Sequence, residues 1–176
     1  NIFSGREKVG ALEVYYQKKR PLMYEGPFLK EERILINTVA YQVANAYKRI
    51  KLEDTLKERI KELSCLYGVS NIIEKHGSDY KKILQGIVDL LPSAWQYLEI
   101  TCAKIVMNNE EFKTDNYKNT RWKQIADIEI ENQKVGFIEI AYTQKMQTLD
   151  EGPFLKEERL LINAIAQRVG KAIIRI

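Results

Sequence analysis

The chain has 176 residues, of which 45% are hydrophobic and 30% charged, and its formal net charge is +4. This balance is typical of a folded protein and excludes a disordered chain, and no apolar run approaches the roughly 20 residues that a membrane span requires. Acidic residues interrupt the basic ones throughout, so we expect no nucleic-acid binding. The chain shows no signal-peptide pattern, which favours a cytoplasmic protein with no direct membrane insertion.

A long internal repeat starts within the first fifty residues. The nonapeptide at residues 25–33, EGPFLKEER, recurs at residues 151–159, which is an offset of 151 − 25 = 126 residues. The match extends without a gap over residues 8–50 and 134–176, and more than half of the paired positions are identical. An offset of this length is the size of a small domain and is too long for a solenoid repeat.

The repeat predicts two copies of one domain, of which only the second is complete. Residues 51–176 are expected to form that complete copy. Residues 1–50 are expected to be the C-terminal part, a β-hairpin and a helix, of a preceding copy. Because such a part lacks the rest of its core, it should expose apolar surface, which we expect dimer contacts to cover.

The helix between the copies is expected to be continuous. No Gly or Pro occurs between Phe28 and Tyr67, and the junction is made of good helix formers. A bend at residues 48–54 is the alternative, and Gly68 is expected to end the helix. The apolar stripe of such a helix needs a partner, either its own sheets or the same helix of a second chain. Its members recur at steps of three and four residues: Leu52, Leu56, Ile60, Leu63 and Tyr67.

The remaining segments predict a second helix at residues 79–91, four strands and a closing helix. The strands are expected at residues 98–107, 111–114, 122–131 and 134–143, with tight turns at Asn108-Asn109 and Asn132-Gln133. On the last strand Ile138 and Ile140 should face one way and Glu139 the other. Pro153 is expected in the first turn of the closing helix, where its missing N–H needs no partner. This order predicts an α+β fold in which helices cover one face of an antiparallel sheet.

Few side chains are candidates for function. Ligand contact is predicted for five residues, because aromatic rings line concave pockets and one acidic residue interrupts an apolar strand: Trp95, Tyr97, Trp122, Glu139 and Tyr142. The alternatives are packing in the core for the rings and a structural hydrogen bond for the carboxylate. The single histidine, His76, and the separated cysteines Cys65 and Cys102 match no metal site and no nucleophile–base pair. We therefore expect no metal and no catalytic residue, and the cofactor, if one exists, is unknown.

The linking helix and the closing helix resemble those of GAF and PAS sensory domains. The closing helix at residues 155–173 follows a Phe and contains acidic residues before a Leu- and Ala-rich run, as in many GAF domains, and Leu91-Pro92 before a strand is similar to the GAF entry. The resemblance implies tandem sensory domains of a bacterial or archaeal signal-transduction protein of the two-component type. Such domains regulate a histidine kinase or a similar output through ligand binding and rearrangement of helices in a homodimer. The alternative is a ligand-free dimerisation and spacer module.

Overall fold

The computed structural model of the protein describes residues 1–174, and within them three helices and two antiparallel sheets confirm the predicted α+β class. The chain divides into two compact units, Asn1–Glu58 and a second that starts at Arg59. This division falls inside the first helix. The assignment of residues 1–50 and 51–176 to two copies of one domain stays a prediction.

The first unit contains a short β-hairpin and the first part of a long helix. Strands β1 (Ile2–Ser4) and β2 (Glu7–Gly10) pair in antiparallel register through a turn at Gly5, whose φ is +65°. Helix α1 (Lys30–His76) then runs for 47 residues, which confirms the expected continuity through residues 48–54. Two glutamates in its first turn place negative charge where the helix dipole favours it.

Gly68 does not end helix α1, so that prediction was wrong. A Cβ atom at this position would lie 2.7 Å from Cδ2 of Leu90, on helix α2 (Tyr80–Leu90). The glycine therefore allows two helices of the second unit to approach closely, at a small cost in helix propensity. The helix ends at His76 and is followed by Gly77, whose φ of +55° is the left-handed conformation common after a helix.

The second unit contains a four-stranded antiparallel sheet in the order β4-β3-β6-β5. Its strands are β3 (Thr101–Met107), β4 (Glu110–Lys113), β5 (Lys123–Ile130) and β6 (Gln133–Tyr142). Asn108 and Asn109 form the first hairpin turn with positive φ angles, as predicted. The second turn is Glu131-Asn132, one residue earlier than predicted, and residues 98–100 form a short 3₁₀ turn before β3.

The core of the second unit lies between one face of this sheet and three helical segments. Helix α2 packs on β3 and β4, and helix α3 (Lys156–Ile173) packs mainly on β5. Ile138 and Ile140 of β6 are fully buried in this core, which confirms the predicted alternation on that strand. Full burial of each such side chain contributes about 1.5–3 kcal/mol, so the helices are fixed against a single sheet face.

Pro153 lies before α3 and not in its first turn, so that prediction was also wrong. The bridge between Glu151 and Phe154 closes a tight turn that contains Gly152 at φ +59° and Pro153. The helix itself begins at Lys156. Gly152 and Pro153 are therefore turn residues here, the role in which glycine and proline are strongly favoured.

Candidate functional site

The five predicted ligand contacts lie on two faces of the sheet. Trp95, Tyr97, Trp122 and Tyr142 belong to or pack against the core on the helix-covered face. Glu139 is out of phase with Ile138 and Ile140 on β6, so it points to the opposite face. The structure therefore brings the four aromatic residues to one side of the sheet and places the carboxylate on the other.

Glu158, in the first turn of α3, is the central polar group on the helix-covered face. It is 4% exposed, and its carboxylate accepts hydrogen bonds from the backbone N–H groups of Gln96 (3.0 Å) and Leu155 (2.8 Å). The hydroxyl of Tyr142 donates to the same carboxylate at 3.2 Å. Burial and the neighbouring carboxylate raise the pKa of Tyr142 above its ordinary value, so the phenol keeps its proton and remains a donor. The sequence indicated only negative charge at a helix start, because burial of Glu158 arises from tertiary packing.

Aromatic rings surround this carboxylate. The ring of Tyr142 stacks on Phe154 with 4.5 Å between centroids, and Tyr97 meets Tyr142 edge-on at 5.4 Å. Trp95 is 1% exposed and lies in the same core. These are packing contacts of the kind that close a protein interior, with offset-stacked and edge-to-face geometry.

A second acidic group, Glu151, ties the loop before α3 to the helix and to the sheet. Arg159 forms an ion pair with Glu151 and also donates from Nη1 to the carbonyl of Ile125 at 2.6 Å. The guanidinium lowers the pKa of Glu151, since it stabilises the ionised form. Gln124 adds a hydrogen bond from Nε2 to Glu151 at 3.3 Å. The result is a fixed helix start beside the edge strand β5.

The first unit contains part of this network at the paired positions of the repeat. The hydroxyl of Tyr16 donates to Glu32 at 2.7 Å, and its ring stacks on Phe28 at 5.1 Å. Arg33 forms an ion pair with Glu25. The difference is burial, because Tyr16 is 42% exposed whereas Tyr142 is fully buried. The network is therefore a structural feature of how each copy starts its last helix.

A groove of about 360 Å³ opens next to the Glu158 cluster. It is lined by Gln96, Tyr97, Leu98, Glu99, Ile100, Gln144 and Met146. Among the described residues, two buried donor atoms near this part of the chain have no hydrogen-bond partner, Nε1 of Trp95 and Nε2 of Gln96. Unpaired buried donors favour a molecule that carries hydrogen-bond acceptors. Of the five predicted contacts, Tyr97 is the one that lines this groove.

On the opposite sheet face, Glu139 is buried to 2% exposure and is bonded on two sides. The hydroxyl of Tyr117 donates to it at 2.6 Å and Nζ of Lys123 at 3.1 Å. Burial, and then the bond to Glu139, raise the pKa of Tyr117. Cys102 lies close by and donates to the carbonyl of Ala141 at 3.4 Å. These groups attach the loop between β4 and β5 to the sheet.

An exposed apolar stripe runs along the part of α1 that belongs to the second unit. It consists of Ile60, Leu63 and Tyr67, which are 54%, 66% and 70% exposed. The buried core residues of α1 are Cys65 and Val69, on a different face of the helix, and Leu66, Ile72 and Ile73 pack against the same core. The helical periodicity was thus visible in the sequence, but the stripe that it singled out is the outer face of the helix.

No family model matches this chain, and no curated protein is significantly similar to it. Within residues 1–174 no group of three or more His, Cys, Asp or Glu side chains is placed to hold a metal ion. No helix among the described residues combines the length and the apolar character that crossing a membrane requires. The site must therefore be interpreted from its own chemistry.

Proposed function

We propose that this chain is a dimerising relay segment of a larger cytoplasmic signal-transduction protein with tandem GAF- or PAS-like domains. The observation that carries the proposal is the exposed stripe of Ile60, Leu63 and Tyr67 on α1. The proposed output, a histidine kinase or a similar enzyme, lies outside this segment. No catalytic step is assigned to the segment itself.

The stripe has the spacing of a coiled-coil seam. Ile60, Leu63 and Tyr67 follow one another at a step of three and then a step of four residues. Apolar residues that alternate at these steps form the seam along which two helices supercoil. A second copy of the same helix, parallel to the first, presents an identical seam, so a two-fold dimer is self-complementary. We therefore propose the homodimer as the partner of this stripe.

A dimer of this kind can transmit a signal through small helix movements. Helices at a subunit interface shift or rotate between discrete packings. Each packing gives a domain attached to the far end of the helix a different position. Helix α1 is a single element of 47 residues, so a change at one end does not stop at a break. This property, together with the resemblance to sensory domains, supports a relay role over an inert spacer.

Nucleophilic chemistry is not favoured at either cysteine. Burial raises the pKa of the Cys65 thiol to about 11, and burial also raises the pKa of Cys102. The thiolate is the reactive form, and at neutral pH both side chains are held as thiols. The proposal therefore gives both cysteines a packing role.

The dimer is tested by light scattering over a concentration series. We expect the unmodified chain to be dimeric and Leu63→Glu to weaken the dimer at least about 100-fold, since two charges would be buried in the seam and 1.4 kcal/mol is tenfold. Leu160→Glu is the matched control, because Leu160 is an exposed leucine (59%) on α3 and lies outside the seam. An unmodified chain that stays monomeric at the highest attainable concentration, or a control that dissociates equally, contradicts the proposal.

A ligand-binding sensor is the second candidate, and the groove beside Gln96 favours it. Gln96 lines the groove, and its unpaired Nε2 would donate to an acceptor atom of a ligand. Glu99 on the rim and the buried Glu158 disfavour a negatively charged ligand. The expected ligand is therefore a small neutral molecule with carbonyl or ether oxygens.

Native mass spectrometry of the gently purified protein tests the sensor. A sensor should carry an added mass that Gln96→Leu reduces and that Gln133→Leu, in the exposed β5–β6 hairpin, leaves in place. A protein of bare chain mass, with no added mass retained from a metabolite extract either, would exclude this candidate and leave the relay function.

A further inference from the structure

The first unit exposes a helix face that the second unit buries at the paired positions of the repeat. Leu35, Val39 and Val43 are 62%, 41% and 45% exposed. An offset of 126 residues pairs them with Leu161, Ile165 and Val169, which are 4%, 0% and 0% exposed. Aliphatic side chains at paired positions of α1 and α3 are therefore surface residues in the first unit and core residues in the second.

Two positions of the first unit are buried like their counterparts. Ile2 and Ala44 are 9% and 8% exposed. In the second unit a Cβ atom at Gly170, the position paired with Ala44, would lie 3.7 Å from Cγ2 of Ile128, the residue paired with Ile2. Leu35, Val39 and Val43 are therefore exposed although other positions of the same hairpin and helix are buried.

In the second unit residues 59–125 contribute a large part of the core in which α3 packs. The buried side chains of this segment include Val69, Leu84 and Ile105. Arg168 of α3 also donates to the carbonyl of Leu66 at 3.1 Å, which fixes α3 against the end of α1. The first unit contains the counterparts of the last two strands and of the last helix, and nothing in residues 1–58 corresponds to the rest.

We propose that Leu35, Val39 and Val43 form a docking surface for a polypeptide segment built like residues 59–125, that is, two packed helices followed by a β-hairpin. The internal repeat identifies this occupant, because it shows what covers the same side chains when the copy is complete. Such a segment would supply the missing sheet strands beside β1 and β2 together with the helices that close the core.

This inference does not depend on the proposed dimer. Leu35, Val39 and Val43 belong to the first unit, whereas the dimer stripe of Ile60, Leu63 and Tyr67 belongs to the second. Separate variants, Val39→Cys and Leu63→Glu, therefore test the two proposals.

The test is a chimera in which residues 51–126 are fused ahead of Asn1, so that the junction continues the repeat at its own offset of 126. Val39→Cys is introduced, and its labelling by a maleimide is read residue by residue with peptide mass spectrometry. We expect labelling at least about 100-fold slower in the chimera than in the unextended chain, since burial removes the thiol from solvent and disfavours the thiolate. Ile34→Cys is the control, because Ile34 (56%) and its pair Leu160 (59%) are both exposed. Rapid labelling of Cys at position 39 in a folded chimera overturns the proposal.

A second test uses the chain without the added segment and does not require the chimera to fold. In this chain the cysteine of Val39→Cys should be labelled rapidly at every protein concentration, with or without the Leu63→Glu substitution. Labelling that slows as concentration rises would show that a second copy covers this face, and would overturn the assignment to a segment like residues 59–125.

Discussion

Replacing Glu158 with alanine should destabilise the second unit by about 3–5 kcal/mol, because it removes the acceptor of three donors inside a packed core. The N–H groups of Gln96 and Leu155 and the hydroxyl of Tyr142 would lose their shared carboxylate. Glu158→Gln retains one acceptor oxygen and should cost less, about 1–2 kcal/mol. Denaturant unfolding followed by tryptophan fluorescence measures this effect on the second unit, since both tryptophans, Trp95 and Trp122, lie there.

The repeat provides a matched control for this substitution. Glu32 occupies the paired position and accepts bonds from the N–H of Leu29 and the hydroxyl of Tyr16, each at 2.7 Å. Tyr16 is 42% exposed, so water can replace the lost carboxylate, and Glu32→Ala should cost no more than about 1 kcal/mol, as for an exposed helix cap. It should leave the tryptophan transition unchanged. Equal effects of the two substitutions would show that burial of Glu158 does not set its contribution.

Patterns within one element predicted most of the fold. The two-residue alternation of Ile138 and Ile140 assigned a face to β6, and Asn108-Asn109 located a turn, because each of these features depends on neighbours in sequence. The predictions made from Gly68 and Pro153 were wrong for the opposite reason. Gly68 has a role in contact with Leu90, and Pro153 belongs to a turn closed by Glu151 and Phe154, so both depend on residues outside the local pattern.

In the candidate site, too, the sequence predicts single residues, whereas their contacts depend on the tertiary structure. Aromatic residues near the ends of strands could be listed from the sequence, but the pairing of Tyr142 with Glu158 requires a contact across 16 residues between a strand and a helix. Glu139 was recognised as unusual because it interrupts an apolar strand. Its partners, Tyr117 and Lys123, belong to the loop before β5 and to the first residue of β5, 22 and 16 residues earlier in the chain. No local pattern therefore groups them with Glu139.

Replacing Leu161 with alanine should destabilise the second unit by about 3 kcal/mol, within the range of 2–5 kcal/mol for a leucine deleted from a packed core. Leu161 is 4% exposed and packs among helix and sheet side chains, so its removal loses apolar contacts and leaves a cavity. The tryptophan transition should shift to lower denaturant concentration with an unchanged slope, since the surface exposed on unfolding stays nearly the same.

Leu35→Ala deletes the same atoms at the paired position of the first unit, where the leucine is 62% exposed. Because little apolar area is lost there, the free energy of unfolding followed by far-UV circular dichroism should change by no more than about 0.5 kcal/mol. The tryptophan transition should not change. In the chimera with residues 51–126 fused ahead of Asn1, the same Leu35→Ala change should cost about as much as Leu161→Ala, because the side chain is then in a complete core. If Leu35→Ala instead costs about 3 kcal/mol in the unextended chain, Leu35 is already buried there. A second copy would then be the partner that buries it, and light scattering should detect the dimer.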